Sequence, residues 1–274
     1  MPRYALRLAY IPDNSYSGFN HQLHDTTNIF TVVCKALHKA RLIQSENRVT
    51  FASRTDRGVG ALNQVIAFDS INSPIIPEIN SYLPAGIQII GKTNVFDEFN
   101  PRKDALLRTY SYFLVINDAY DLEQMKHSFN ALKGTHDFRN FAKFDSTNPK
   151  NTMKTITETS ILQLDENILQ LRISSPSFLW QQVRRIIGHL IEVATTELTV
   201  SDTIILLNDH STRNKPPSAP PEVLVLEKIV YRDLVFDVDH KSVKFFQNVL
   251  VEAVKRYQER SAVNMFILES LSKY

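Results

Sequence analysis

The sequence predicts an α+β fold of two similar halves whose antiparallel strands join into one continuous sheet. Three observations carry this prediction. Apolar residues alternate in some segments, as in half-buried strands, and recur at three- and four-residue spacing in others, as in amphipathic helices. The order strand-helix-strand-strand-helix-strand occurs twice along the 274 residues. Strands joined by short connections favour antiparallel pairing.

The first half begins with the alternating segment "YALRLAY", which predicts a strand over residues 4–10. Ile29, Val33 and Leu37 lie on one side of a predicted helix within 26–43, with a threonine available as its N-cap. Two strands, a short helix and a last strand follow, and we expect them at residues 49–53, 64–70, 76–83 and 87–95.

The second half repeats this pattern after a join near "FNPRKDA". We expect a strand, a helix, a hairpin, a long helix, a strand and a C-terminal helix, with the respective ranges 106–115, 120–133, a turn at 165–167, 178–196, 226–231 and 241–259. This order is that of an RRM-like, or ferredoxin-like, unit. The sequence therefore predicts two such domains, 1–101 and 102–274, with a cleft between them and the helices behind the sheet.

Composition limits the classes of function. Apolar residues make up 43% of the chain, which is enough to fill a globular core. The 31 Lys and Arg residues against 29 Asp and Glu give a net charge of +2, so a nucleic-acid binder would need a basic face within a balanced total. The single cysteine excludes an internal disulfide framework, and the spacing of Cys and His predicts no metal site. With no long apolar segment, we expect no membrane association and a cytoplasmic location.

The segment "ASRTDRGVGA", residues 52–61, is the strongest local signal for a site. Two of the seven glycines follow Asp56 closely, which predicts a tight turn that another backbone approaches. Arg54 and Arg57 flank Asp56, favour its ionised form and suit phosphates and base edges. An aspartate that only hydrogen-bonds its own turn is the alternative interpretation. The arginines favour a carboxylate that acts on a nucleic acid.

Six segments in order resemble motifs of the TruA-type tRNA pseudouridine synthases. They are "GFNHQ", "RTDRGVGALNQVIAF", "FNPRKDALLRTYSY", "GTHDFRNFAK", "SFLWQQVRRIIGHLIEVA" and "APPEVLVLEKIVY". The second is specific, and the others are strong together because they cover most of the chain. Gly60 stands where His or Ser is common in the family, and Val223 stands where Gly is common.

The resemblance implies an isomerase that converts uridine to pseudouridine in the anticodon stem-loop of tRNA, without a cofactor or metal. Asp56 matches the catalytic aspartate, which either attacks the ribose or removes a proton from it. Tyr110 matches the tyrosine that stacks on the uracil, and Arg184 matches the arginine that pairs with the carboxylate. The apolar residues around Arg184 on its predicted helix also favour a buried partner for its charge.

The resemblance and the charge pattern also predict partners. We expect substrate contacts from five residues, which are Arg54, Arg57, Arg102, Arg108 and Gln22. Family members generally act as homodimers on one tRNA, so a homodimer is expected, with no small-molecule cofactor. Two alternatives remain at this point. One is a non-catalytic tRNA-binding or folding module on the same scaffold, and the other is a hydrolase of the glycosidic bond, which usually needs a second carboxylate.

Overall fold

The computed structural model describes residues 1–11, 15–20, 28–144, 151–209 and 215–272. Gln22, expected to contact the substrate, lies outside the described residues.

The first half contains two helices and four strands. Their bounds are β1 Arg3–Tyr10, α1 Ile29–Lys39, β2 Thr50–Phe51, β3 Gly60–Asp69, α2 Ile76–Ser81 and β4 Ile87–Val95. The predicted order is confirmed, but the N-cap of α1 is Asn28, whose side chain accepts a hydrogen bond from the Thr31 amide, rather than a threonine.

The second half contains the predicted elements together with some that the sequence did not reveal. Its bounds are β5 Leu107–Val115, α3 Leu122–Ala131, β6 Gly134–Asp137, β7 Met153–Ile156, β8 Glu158–Asp165, β9 Ile168–Ser175, α4 Gln182–Thr195, α5 Val200–Asn208, β10 Leu224–Val230, β11 Asp237–Val238 and α6 His240–Leu271. The β6–β7 hairpin, α5 and β11 were not predicted. Helix α6 continues twelve residues past the predicted end at 259.

Among the described residues, nine strands form one sheet in the order β11-β4-β1-β3-β10-β5-β9-β8, with β2 paired to β3. Each half therefore has the ferredoxin-like order 4-1-3-2, as β4-β1-β3-β2 in the first and β10-β5-β9-β8 in the second. Within each half the pairings are antiparallel. The predicted α+β fold with a continuous, largely antiparallel sheet is confirmed.

The junction between the halves is the exception, because β3 and β10 pair in parallel through Gly60 with Val225 and Ala61 with Leu226. Strand β2 is two residues long and pairs only with Ile66 and Ala67 at the far end of β3. Its shortness leaves the near end of β3 open to β10. The loop between β2 and β3, which carries Asp56, thus lies beside the junction.

One hydrophobic core runs under both halves on the face that the helices cover, and it includes Leu8 and Val33 of the first half and Leu171 and Ile187 of the second. Its burial from water is the main stabilising contribution to the fold. On the opposite face a smaller apolar cluster around Phe99 and Phe236 covers the first half.

The chain returns to the first half at its end. Strand β11 pairs with β4, and Asn80 of α2 donates a hydrogen bond to Ser242 of α6 at 2.8 Å. The predicted domain 102–274 does not account for this return, because its last segment lies on the first half. Every residue of α6 from Val254 to Glu269 is exposed.

Candidate active site

Asp56 lies in a turn that backbone contacts hold from two sides. The turn closes through a hydrogen bond from the Val59 amide to the Asp56 carbonyl at 3.2 Å, and Gly58 has a φ of 83° that favours glycine. Phe19 exchanges two backbone hydrogen bonds with Thr55. A Cβ on Gly18 would lie 2.4 Å from the Thr55 carbonyl oxygen, so only glycine permits this contact. The predicted close approach of another backbone is therefore present, and it comes from 18–19.

The second half supplies the cation that contacts this carboxylate. Nη1 of Arg184 donates to Oδ2 of Asp56 at 2.8 Å, and the two side chains are 15% and 24% exposed. Nε of Arg184 donates to the Ala219 carbonyl at 2.7 Å, and the Ala219 amide donates back to the Arg184 carbonyl. The guanidinium is thus held at one edge by the loop before β10 while its other edge faces Asp56.

The proline-rich loop of residues 215–222 reaches Arg184 because α4 has a glycine one turn further on. A Cβ on Gly188 would lie 2.1 Å from the Pro217 carbonyl oxygen. Arg185 also donates to the Pro216 carbonyl at 2.7 Å. The loop therefore packs directly on the helix backbone, which fixes the distance between Ala219 and Arg184.

Trp180 contacts the other oxygen of the same carboxylate, which sequence reasoning missed. Its Nε1 donates to Oδ1 of Asp56 at 3.1 Å. Trp180 lies inside the motif that carries Arg184, in the turn before α4, and this position was the available signal. Both oxygens of Asp56 are therefore bound by donors from the second half.

Tyr110 lies on the same face of the sheet as Tyr10 and Leu226. Ala61 pairs with Tyr10 on one side and Leu226 on the other, and Leu226 pairs with Tyr110, so their side chains share one face. This is the face that α4 covers. The helices therefore do not lie behind the site, as we had expected, because one of them supplies Arg184.

Burial raises the pKa of Tyr110 to about 12, although Arg108 and a hydrogen bond with Ser53 oppose the shift. The residue is 8% exposed, and Phe178 contacts its ring edge to face at 5.4 Å. The phenol is neutral near pH 7 and can stack on a base without adding a charge to the site.

A cavity of about 390 Å³ opens at the carboxylate. Its lining residues are Asp56, Arg57, Gln181, Arg184, Pro221 and Glu222. Residues of both halves contribute, so the cavity lies where the halves meet. Within the described ranges no three His, Cys, Asp or Glu side chains form a group that could hold a metal ion.

The remaining expected substrate contacts divide into exposed and buried residues. Arg54, Arg57 and Arg102 are exposed, and Arg57 lines the cavity. The ion pair of Asp56 is with Arg184 rather than with its two neighbours in sequence. The three exposed arginines lie where a polyanion can reach them.

Arg108 differs from these arginines because it is 6% exposed and bonded to protein. It donates to Oγ of Ser53 at 3.0 Å and to the carbonyl oxygens of Ala52, Arg102 and Pro176. Burial lowers its pKa. These contacts join the strand before the Asp56 loop to the end of β9. The expectation that Arg108 contacts the substrate is therefore at odds with its position, and its observed contacts are structural.

Comparison with known proteins gives the class that this fold and site define. A family model described as tRNA pseudouridine synthase matches residues 129–232. The chain is 32% identical to tRNA pseudouridine synthase A of Thermococcus sibiricus, over 95% of this chain and 97% of the relative. It is 34% identical to tRNA pseudouridine synthase A of Pyrococcus furiosus, over 95% of this chain and 96% of the relative.

The chain therefore belongs to the tRNA pseudouridine synthase A family. It is an isomerase that forms pseudouridine in tRNA. In the described part of the chain, no helix has the length and apolar character needed to cross a membrane.

Proposed function

We propose that the chain forms pseudouridine in the anticodon stem-loop of tRNA, with Asp56 as its catalytic carboxylate. The observation that carries this proposal is the 2.8 Å ion pair between Asp56 and Arg184 at the wall of the cavity. In this reaction the bond from the ribose to N1 of uracil breaks, the base turns, and a bond from the ribose to C5 forms. No atoms are gained or lost, so neither water nor a cofactor is consumed.

Asp56 performs the first step either by attacking the ribose or by removing a proton from it. Both routes need an ionised carboxylate with a lone pair directed into the cavity. Each oxygen has more than one acceptor site, so the contacts from Arg184 and Trp180 leave lone pairs available. The same contacts fix the plane of the carboxylate, and such positioning contributes to the rate.

Tyr110 stacks on the detached uracil and relays the proton that C5 loses when the new bond forms. The neutral phenol passes on its own O–H proton as it accepts this one, and N1 of the base gains a proton. The position of Tyr110 on the same face as the cavity supports this role. The Phe178 ring holds the phenol at a fixed angle.

The exposed arginines Arg54, Arg57 and Arg102 contact the tRNA backbone beside the cavity. Gln22 stays a prediction for substrate binding. Phosphate contacts release counterions, so the affinity for tRNA should fall steeply between about 50 and 200 mM salt. A dissociation constant that changes by less than about twofold over this range would contradict the proposed contacts.

The functional unit is a homodimer in the cytoplasm. With a net charge of +2, one subunit offers little phosphate-binding surface, and two subunits double it. Sedimentation at micromolar concentration should show a dimer. A monomer with full activity on tRNA would contradict this part of the proposal.

The experiment that tests the reaction is incubation of the protein with an unmodified tRNA transcript, followed by mapping of pseudouridine and of abasic sites. We expect pseudouridine within the anticodon stem-loop. Binding without any modified base would support the non-catalytic alternative, and abasic sites would support hydrolysis. Pseudouridine only outside the anticodon arm would contradict the proposed target.

A further inference from the structure

Trp180 is the only tryptophan of the chain, and it contacts Asp56, which lines the cavity, instead of lying in the core. It is 44% exposed. Large aromatic rings at the surface are typical of contact surfaces, because they offer apolar area at little entropic cost. The position beside Asp56 indicates that the substrate is what this ring contacts.

Two contacts hold the indole of Trp180, and a third holds its backbone. Its Nε1 donates to Asp56 at 3.1 Å, and its backbone carbonyl accepts from the Lys143 amide at 3.0 Å. The Lys143 ammonium lies 4.6 Å from the centre of the ring. Because these contacts come from both halves, the ring is oriented before any substrate arrives.

The backbone next to the indole is strained. Gln181 has a φ of 60° and caps α4 in the left-handed region, which costs a residue with a side chain of order 1 kcal/mol or more. Gln181 also lines the cavity. The strained turn places the Trp180 side chain towards Asp56 while α4 begins at the following residue.

We propose that Trp180 has two roles in the reaction: its N–H positions the Asp56 carboxylate, and its exposed ring stacks on a nucleobase next to the target uridine. The inference rests on the proposed function of Asp56. Tyr110 is assigned to the target base, so Trp180 takes a neighbouring base in the RNA. Lys143, on the ring, lies where it can bind the phosphate of that nucleotide.

Stacking on an aromatic ring is suited to this site because every base has a π face and the contact needs no particular sequence. Because the Lys143 ammonium lies over one face of the ring, the base of one nucleotide stacks on the opposite face and its phosphate contacts Lys143. A base held there would keep the RNA strand beside the cavity after the target uridine leaves its stack.

The single tryptophan allows a direct test in the unmodified protein. Saturating tRNA should quench indole fluorescence and protect the indole from acrylamide. Heparin, a polyanion without bases, should compete with tRNA for the protein yet leave the fluorescence nearly unchanged. If saturating tRNA changes neither the fluorescence nor the protection while pseudouridine still forms, the stacking role is wrong.

Two substitutions separate the two roles. Trp180→Phe keeps a ring and loses the N–H, so we expect the single-turnover rate to fall roughly tenfold with a tRNA Kd within about twofold of wild type. Trp180→Ala loses both, and Kd should also rise roughly tenfold. Phe96→Ala, at an exposed ring of the loop after β4, is the control and should leave both values unchanged.

Wild-type rate and affinity in Trp180→Ala would overturn the inference. A normal rate in Trp180→Phe would remove the positioning role alone. These outcomes differ from a failure of the proposed function, in which the wild-type protein forms no pseudouridine in the anticodon arm or the Asp56→Asn variant is as active as wild type.

Discussion

The two halves share one strand order and supply different parts of the site. In the first half the connection from β2 to β3 carries Asp56, whereas the matching connection of the second half is a tight turn between Asp165 and Ile168. The second helix of each half differs in length, and here the longer element belongs to the second half. Helix α2 has six residues, while α4 has fourteen and carries Arg184. The scaffold is therefore duplicated, but the first half supplies the carboxylate of the candidate site and the second half supplies the arginine that pairs with it.

The largest expected effect comes from removing the charge that the first half contributes. Asp56→Asn keeps the size of the side chain, and we expect turnover to fall by at least about three decades, on the order of 4 kcal/mol in the barrier. Affinity for tRNA should stay equal or increase, because an anion leaves a site that binds phosphates. Rates of pseudouridine formation and the tRNA Kd are the measurements.

Asp69→Asn is the matched control for this substitution, because Asp69 also pairs with an arginine, Arg3, at 2.8 Å but lies outside the cavity. It should change stability and leave the reaction rate intact. Near wild-type turnover in Asp56→Asn, or loss of tRNA binding in a folded Asp56→Asn protein, would identify Asp56 as a structural turn residue.

Removing Arg184, which the second half contributes, should lower the reaction rate less than removing the charge of Asp56. Arg184→Ala leaves Asp56 without its cation, and we expect a rate loss of roughly two decades together with weaker tRNA binding. Arg184→Lys restores a charge, but an ammonium cannot hold both Asp56 and the Ala219 carbonyl. Its rate should therefore lie between those of wild type and Arg184→Ala. Arg172→Ala, which breaks the 2.7 Å pair with Glu227 outside the cavity, is the control. Equal rates for the two Arg184 variants would show that the geometry of the guanidinium is unimportant.

A third substitution tests whether the loop before β10 positions Arg184. In Gly188→Ala the new methyl group would displace the Pro217 carbonyl and with it Ala219, so we expect about 1–3 kcal/mol of destabilisation and a rate loss of roughly tenfold. Gly86→Ala is the control, because its Cβ would meet only the Ile11 side chain at 3.2 Å. Denaturant unfolding and single-turnover kinetics measure the two effects. A destabilised Gly188→Ala variant with a wild-type rate would show that the loop before β10 does not position Arg184 for the reaction.

The last effect concerns stability in acid and leaves the reaction rate aside; a buried histidine of the second half contributes to it. Burial lowers the pKa of His189 from 6.5 to about 4, with Asp202 opposing the shift, and Thr203 bonds its ring. The unfolded chain binds this proton first, so stability should fall as the pH drops from 6.5 towards 4, by up to about 3 kcal/mol.

Urea unfolding across this pH range tests the last prediction when wild type is compared with His189→Gln. The variant should be less stable at neutral pH and should lose less stability between pH 6.5 and 4. Parallel pH profiles for the two proteins would mean that another group causes the acid sensitivity.

Sequence reasoning found most elements because their apolar patterns are local. Strand β4 was predicted with its observed ends, Ile87 and Val95. The β6–β7 hairpin was missed because its strands are four residues long and far apart in sequence. The end of α6 was missed because its exposed distal part has no apolar face against the protein to define it.

The site shows a similar limit. Asp56 and Arg184 could be predicted as a pair because motifs carry both. Whether an arginine faces substrate or protein depends on packing across the sheet, which the sequence does not show. The sequence therefore predicted that Arg108 contacts the substrate, whereas its side chain contacts Ser53. The contact of Trp180 with Asp56 joins residues far apart in the chain, and no periodic pattern in either segment indicates it.

The pairing of β11 with β4 sets an order on how the protein can assemble during synthesis. Strand β4 leaves the ribosome early, but its outer edge at Gly91 and Lys92 stays unpaired until Asp237 and Val238 emerge and pair with these two residues. Glycine at position 91 permits the late approach, because a Cβ there would lie 3.1 Å from the Asp237 carbonyl oxygen. The nascent first half therefore keeps an open sheet edge while nearly all of the second half is translated. Such an edge can pair with other chains, so slow translation or premature termination after β10 should favour aggregation.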